Sequence, residues 1–164
     1  DQAFGRVDPS PALAQVGQSW PLDGRTVGIV VDAAHVAADV AEVRAAVAAA
    51  SMVPLVIAAH GGQVGEIPVQ RTFLTATSVE YDALLLAGAV TDPAVATLVE
   101  ECWLQSKAIG AWAGGEELLV ADGYSESPGI IRGGSGTEVL GQVQDLMRQH
   151  RVWDRFPARP GLTA

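Results

Sequence analysis

The chain has 164 residues, of which 49% are hydrophobic and 18% are charged, and its formal net charge at pH 7 is -9. This length fits one domain with a sizeable core, and the apolar fraction excludes a disordered chain. The negative charge argues against nucleic acid and against an anionic membrane surface as partners, because both require clustered Lys and Arg.

Residues 1–21 predict an extended linker or arm. They contain several prolines and show no apolar periodicity. They also lack the basic and then apolar segments of a signal peptide, and no later apolar run reaches the ~20 residues that span a bilayer. The chain has a single cysteine, Cys102, which excludes an internal disulfide. We therefore expect a cytoplasmic protein.

Residues 22–156 alternate strand and helix patterns and predict one domain. The run Thr26–Val31 is typical of a strand buried on both faces of a parallel sheet. Residues 39–50 predict a helix with Asp39 as N-cap and Glu42 completing a capping box. The segment MVPLVIAA predicts a second strand with Pro54 at an edge or first position, and residues 60–77 predict a small hairpin or an excursion from the main sheet.

The second half of the domain repeats this alternation. YDALLLAG predicts a buried strand, and Pro93 follows Asp92 at the start of a predicted helix. KAIGAWAGGEELL predicts a strand, a tight turn and a helix, and residues 137–150 predict the last helix. We therefore predict an α/β fold, a flavodoxin-like doubly wound, mostly parallel sheet with helices on both faces, followed by a C-terminal tail at residues 157–164.

The turn within KAIGAWAGGEELL resembles a nucleophile elbow. In many α/β enzymes a Ser or Cys occupies the crest of such a turn, whereas the sequence here places Trp112 there. An indole offers no nucleophilic atom, so covalent catalysis at this position is excluded. A packed Trp in an ordinary strand–turn–helix connection explains the segment, and Cys102, inside a predicted helix, is interpreted as a small buried thiol.

Polar residues that follow the first two predicted strands form the other candidate site. Asp32, His35 and His60 are expected at one edge of the sheet, where open α/β sheets bind ligands. They predict either a metal or acid–base site or, more commonly, solvated loop histidines. RGGSGTEVL resembles a phosphate loop without its full pattern, and Thr137 as a helix N-cap explains the same residues.

The C-terminal segment LMRQHRVWDRFP combines aromatic and Arg side chains, which are enriched at interface hot spots. Packing of this segment on its own domain is the alternative. The residues we consider as interface candidates are Arg151, Trp153, Arg155 and Phe156.

Four segments, in this order, carry a family resemblance: LDGRTVGIVVD, SVEYDALLLAG, KAIGAWAGGEELL and LMRQHRVWDRFP. They resemble the C-terminal domain of large-subunit monofunctional haem catalases of the hydroperoxidase II type, and residues 1–21 resemble its connector to the catalase body. The resemblance implies a flavodoxin-like domain related to glutamine amidotransferases and intracellular proteases. On this comparison Trp112 stands at their catalytic Cys, and Asp39 falls near their acid as a shorter substitute.

The same resemblance implies a function without catalysis in this domain. Haem, its ligands and the conversion of hydrogen peroxide to water and oxygen would belong to the preceding catalase body, so we expect no catalytic, cofactor-binding or metal-binding residues here. The implied partners are the catalase core domain and other subunits of a homotetramer, with roles in stability and peroxide access. A chaperone-like action on unfolded client proteins is a further expectation.

The alternative function is a free-standing enzyme of the intracellular-protease superfamily, either a hydrolase or a glyoxalase-like enzyme. It would use Asp32, His35 or His60, because the elbow supplies no nucleophile.

Overall fold

The structure, a computed structural model, describes residues 10, 12 and 15–155. Its strands and helices, in chain order, are β1 (Thr26–Val31), α1 (Val40–Ala49), β2 (Val53–Ala58), β3 (Gly62–Val64), β4 (Ile67–Val69), β5 (Arg71–Thr72), β6 (Ala83–Ala87), α2 (Pro93–Leu104), β7 (Ala108–Trp112), α3 (Glu116–Ala121), β8 (Ile130–Arg132) and α4 (Gly136–Arg148). Short 3-10 turns lie at Ser78–Glu80 and Trp153–Arg155.

The main sheet has six strands in the order β5-β2-β1-β6-β7-β8, and every pairing in it is parallel. This arrangement confirms the predicted flavodoxin-like α/β fold. The strand order reverses between β1 and β6, so their carboxyl ends meet at the switch point where such sheets bind ligands. The predicted excursion is also confirmed, because β3 and β4 form a separate antiparallel pair before β5 rejoins the sheet.

Two apolar clusters cover the two faces of the sheet. Helices α1 and α4 pack with one set of strand residues, and α2 and α3 pack with the other. Alternate residues of a strand point to opposite faces, so Ile29 joins the first cluster and Val30 joins the second. Both are fully buried, as the continuous apolar run of β1 predicts.

The helix starts follow local capping rules in only some cases. Asp92 caps α2 as predicted, accepting the Ala94 N–H at 2.8 Å. Helix α4 is capped by Ser135 and not by Thr137, because the Ser135 hydroxyl accepts the Glu138 N–H at 3.4 Å. Asp39 precedes α1 as predicted, but its side chain makes no cap bond, so the expected capping box does not form.

The last part of the predicted arm contacts the end of α4. The Trp20 N–H donates to the Arg148 carbonyl at 2.7 Å, and the Trp20 ring lies 5.6 Å from the His150 ring. The predicted tail at residues 157–164 and Phe156 lie outside the described residues, as does most of residues 1–14. In the described part of the chain, no helix has the length and apolar character needed to cross a membrane.

Candidate functional site

The elbow lies at the carboxyl end of β7. Pairing with β6 continues as far as Ala87 and Trp112, so Trp112 is the last strand residue and its side chain is only 1% exposed. The first residue of the turn with a positive φ is Ala113, with φ +53°, and it is exposed. The crest is therefore Ala113, which corrects the expectation that Trp112 stands there.

Small residues at the turn are required by its close approach to β6. A Cβ on Gly115 would lie 2.3 Å from the Leu86 carbonyl oxygen, a backbone atom that cannot rotate away. Gly114 has φ +96°, a conformation that side chains other than glycine rarely adopt. The segment thus has the backbone of a nucleophile elbow while its exposed crest carries only a methyl group.

The Trp112 indole is held by a carboxylate from a distant part of the chain. Its Nε1–H donates to Asp39 Oδ1 at 2.8 Å, and Asp39 Oδ2 accepts the Gly136 N–H at 2.7 Å. Asp39 precedes α1 and Gly136 begins α4, so one side chain joins β7, α1 and α4. This explains the missing capping box, because both oxygens of Asp39 already have long-range donors.

The space beside the indole is filled. A Cβ on Gly136 would lie 2.6 Å from Trp112 Cζ2 and 2.4 Å from Val43 Cγ2. The glycine backbone at the start of α4 therefore packs directly against the indole ring and against Val43 of α1. We call this arrangement the Trp112–Asp39 cluster, comprising Trp112, Asp39, Gly136 and Val43.

The start of α4 does not behave as a free phosphate loop. Two of its backbone N–H groups are taken by side chains of this protein: Gly136 by Asp39 at 2.7 Å and Gly134 by Glu138 Oε2 at 3.3 Å. Two carboxylates already occupy the positions that an anion would take at a helix N-terminus. The geometry therefore favours the capping interpretation of the glycine-rich segment.

The predicted polar site is only partly assembled. Asp32 and His60 line one hollow of about 360 Å³ beyond the ends of β1, β2 and β6, together with Asp92. His35 Nδ1 lies 3.4 Å from Asp32 Oδ2, but the His35 side chain is 88% exposed. Asp39 lies elsewhere, in the Trp112–Asp39 cluster. The other oxygen of Asp32 accepts the Ala34 N–H at 2.9 Å, which is a local turn bond.

A larger apolar groove was not predicted from the sequence. We call it the α2–α3 groove; it has a volume of about 500 Å³ and lies between the start of α2 and helix α3. Each of the two helices contributes one alanine to its lining, Ala96 of α2 and Ala121 of α3. Its lining residues are Ala89, Val90, Thr91, Pro93, Ala96, Glu117, Leu118, Ala121 and Asp122.

The α2–α3 groove does not fit haem. Haem iron takes an axial ligand from His, Cys, Met or Tyr, and none of these residue types lines the groove. Over the residues that the structure describes, no group of three or more His, Cys, Asp or Glu side chains is placed to hold a metal ion.

The C-terminal interface candidates contact their own domain. The Arg155 guanidinium donates to the carbonyls of Pro128 at 2.6 Å and Lys107 at 2.7 Å, and burial lowers its pKa to about 10. Trp153 Nε1 donates to the Gln149 carbonyl at 2.8 Å, and Arg151 binds the carbonyl of the preceding residue. Arg155 thus fastens the last described residues across the amino ends of β7 and β8.

Two further titratable groups are buried in the core. Cys102 is fully buried, and burial raises the pKa of its thiol to about 11. This confirms the prediction of a buried thiol, and it removes the only cysteine as a nucleophile near neutral pH. Lys107 donates to the Ser78 carbonyl at 2.5 Å, and burial lowers the pKa of its ammonium group.

Comparison with known proteins adds the family. Residues 23–157 match the family model described as the C-terminal domain found in long catalases. Catalase HPII of Pseudomonas aeruginosa is 26% identical over 170 residues, which cover 95% of this chain and 24% of that relative. The chain therefore spans about a quarter of the length of the relative it matches.

Proposed function

We propose that this chain, which belongs to the family of C-terminal domains found in long catalases, is a non-catalytic domain of such a catalase. The family match confirms the resemblance found in the sequence. The observation that carries the non-catalytic role is the Trp112–Asp39 cluster. At the end of β7, the exposed crest of the elbow is Ala113, which has no nucleophilic atom, and Trp112 before it is buried with its N–H bound by Asp39.

Within this proposal, peroxide conversion and haem binding belong to the part of the catalase that precedes this domain. The domain would contact the catalase core and neighbouring subunits, support the homotetramer and shape peroxide access in the cytoplasm. The support is the family membership together with the lack of an axial ligand in the α2–α3 groove. Arg155 donates to three backbone carbonyls of its own domain and so holds the last described residues against that domain.

The first test measures catalysis by the chain itself. Purified chain mixed with hydrogen peroxide is expected to release oxygen no faster than buffer, and added haem is expected to give no Soret band of a bound complex. Oxygen release that scales with protein concentration would contradict the proposal. A long catalase shortened by this domain is expected to dissociate or lose activity at a lower temperature than the intact enzyme, with its activity per haem retained at low temperature.

The alternative, an enzyme of the intracellular-protease superfamily, is favoured by one observation. Asp32 and His60 line the same hollow, and His35 contacts Asp32. An assay with methylglyoxal and with chromogenic peptides separates the two functions when repeated on His60→Ala and on Gln63→Ala, an exposed neighbour. Turnover that is lost in His60→Ala and kept in Gln63→Ala would support the enzyme and reject the accessory domain.

A chaperone-like action is a second proposal, and it draws on exposed apolar side chains. Leu74 and Val79 are 89% and 79% exposed, on the segment between β5 and β6. Light scattering of a heat-labile client, with wild-type chain and with the double variant Leu74→Ser and Val79→Ser, tests this action. Unchanged client aggregation at a molar excess of wild-type chain would rule it out.

A further inference from the structure

The α2–α3 groove is a mainly apolar hollow that lies open at the surface of the α2–α3 face. Its volume of about 500 Å³ lies within the range of sites that take several side chains or a small ligand. Most of the lining is apolar and includes Val90, Ala96, Leu118 and Ala121. The Leu118 and Val90 side chains are only partly buried, although both pack against the core of this face. A partner's apolar side chain would complete that burial.

Acidic side chains border the apolar surface. Glu117 and Asp122 line the α2–α3 groove, and Asp122 also lines an adjoining hollow of about 320 Å³ with Glu100 and Tyr124. Neither hollow is lined by Lys, Arg or His. Among the residues that the structure describes, these three carboxylates have no side-chain hydrogen bond or ion pair. The surface is therefore apolar at its centre and negatively charged at its border.

The acidic border acts on Tyr124, which lines the adjoining hollow. Burial raises the pKa of the Tyr124 hydroxyl, and the charges of Glu100 and Asp122 raise it further. The two carboxylates therefore create a negative potential at this point of the surface. A cationic side chain in the adjoining hollow would be attracted by the same potential.

We propose that the α2–α3 groove, with its acidic border, is a docking surface for a polypeptide segment whose apolar side chain is flanked by Lys or Arg. The apolar side chain enters between Ala96 and Leu118, and the cation pairs with Asp122 and Glu100. A second copy of this chain fits poorly, because its net charge is also negative. The inference rests on the proposed function only for the source of the segment, which is the catalase part that precedes this domain.

A peptide binding experiment tests the chemistry directly. The probes are fluorescent twelve-residue peptides: one of alternating Leu and Lys blocks, one with Glu in place of Lys, and one with Ser in place of Leu. The Leu–Lys peptide is expected to bind the full chain saturably, and both other peptides are expected to bind at least tenfold more weakly. Equal binding of the Ser–Lys peptide would reject a docking site and indicate general attraction to an acidic protein. No binding of the Leu–Lys peptide would also overturn the proposal.

Variants locate the binding on the surface. Ala96→Leu fills the groove with a good helix former, and Asp122→Lys reverses the border charge at the C-terminal end of α3, where a cation is tolerated. Each is expected to weaken binding at least tenfold. Glu66→Lys, on the exposed β3–β4 turn, makes the same charge change elsewhere and is expected to alter binding less than twofold. If Glu66→Lys weakens binding as much as Asp122→Lys, the site is not the groove.

A cross-linking experiment in the intact long catalase identifies the segment. A photoreactive benzoylphenylalanine placed at position 117, an exposed residue at the edge of the groove, is expected to label a stretch of the preceding catalase part that holds an apolar residue next to Lys or Arg. Labelling of residues 156–164 of this chain, or of another copy of this domain, would overturn the assignment. The non-catalytic role is read independently from the oxygen-release assay, so each of the two proposals can fail without the other.

Discussion

The two faces of the sheet end differently at β7. On the α1–α4 face the strand finishes with Trp112, whose ring is buried and bound to Asp39. On the α2–α3 face the neighbouring strand residue is Ala111, which is buried, and the α2–α3 groove is lined by residues that lie beyond the strand ends and on α2 and α3. Because successive strand residues point to opposite faces, Trp112 packs on one face only, and the groove lies on the other.

We expect the α1–α4 side, closed by Trp112, to contribute mainly to stability and the open α2–α3 side to contribute mainly to binding. The closed side joins three elements through one carboxylate, and the space beside the indole is filled. The open side offers apolar surface and unpaired acidic groups, so changes there should alter binding more than folding. Substitutions on each side can confirm or break this distinction.

The largest effect is expected from Trp112→Ala. The substitution removes a ring that is 1% exposed and takes one donor from the Asp39 carboxylate. We expect the free energy of unfolding to fall by about 3–5 kcal/mol in urea titrations. Trp153→Ala, which removes a partly exposed Trp, should cost clearly less; an equal loss would mean that the Trp112 site is not specially packed.

Asp39→Asn should have the next largest effect. An amide can accept from only one of the two donors, Trp112 Nε1 or Gly136 N, and it turns its own NH₂ toward the other. We expect a loss of about 2–3 kcal/mol in thermal or urea unfolding. Glu42→Gln, an exposed residue of the same helix, is the matched control and should change stability by less than about 0.5 kcal/mol.

A double-mutant cycle with Trp112→Phe tests the same bond. The phenylalanine keeps most of the ring but removes the N–H donor, so its effect and that of Asp39→Asn should not add. Additive losses would indicate that the indole–carboxylate bond contributes little.

The pH dependence of the stability linked to the Cys102 thiol tests whether water is excluded from the core on the α2–α3 face. Its folded pKa is raised to about 11 from an ordinary value of 9.0, so the unfolded state ionises first. The stability linked to the neutral thiol is complete below pH 9 and is lost as pH rises through 11. Relative to Cys102→Ala, the wild type should lose about 2 kcal/mol between pH 8 and pH 11.

A thiol reagent gives the matching kinetic measurement. At pH 7.5 the native chain should react with a disulfide reagent far more slowly than the chain unfolded in urea. Equal rates would show that solvent and reagent reach Cys102 in the native chain.

The smallest effect on stability is expected from Ala96→Leu in the groove. The new atoms enter open space, so the free energy of unfolding should change by less than about 0.5 kcal/mol. Gly136→Ala adds a single methyl group on the closed side, where it meets Val43 Cγ2 at 2.4 Å, and should cost about 1–3 kcal/mol. If Ala96→Leu lowers the free energy of unfolding more than Gly136→Ala does, the closed and open sides have been assigned wrongly.

Several details of the site were predictable only in part because local rules leave choices open. Ser135 and Thr137 are both capping residue types two positions apart, and only the path of the chain into α4 selects Ser135. Asp39 has the spacing of a capping box, but its partners lie 73 and 97 positions away. The small turn residues that follow Trp112 in the sequence predict that it stands at the crest. Pairing of β7 with β6 instead extends the strand through Trp112.

The alternation of strands and helices, the buried strands and the helix start at Pro93 were determined by the sequence itself. These features depend on side-chain periodicity and on capping over a few neighbouring residues, which any folded context preserves. Only the tertiary structure decided what the Trp112 indole contacts and where the groove opens. Both depend on residues brought together from separate elements, and the volume left between packed helices cannot be found from the spacing of residues along one of them.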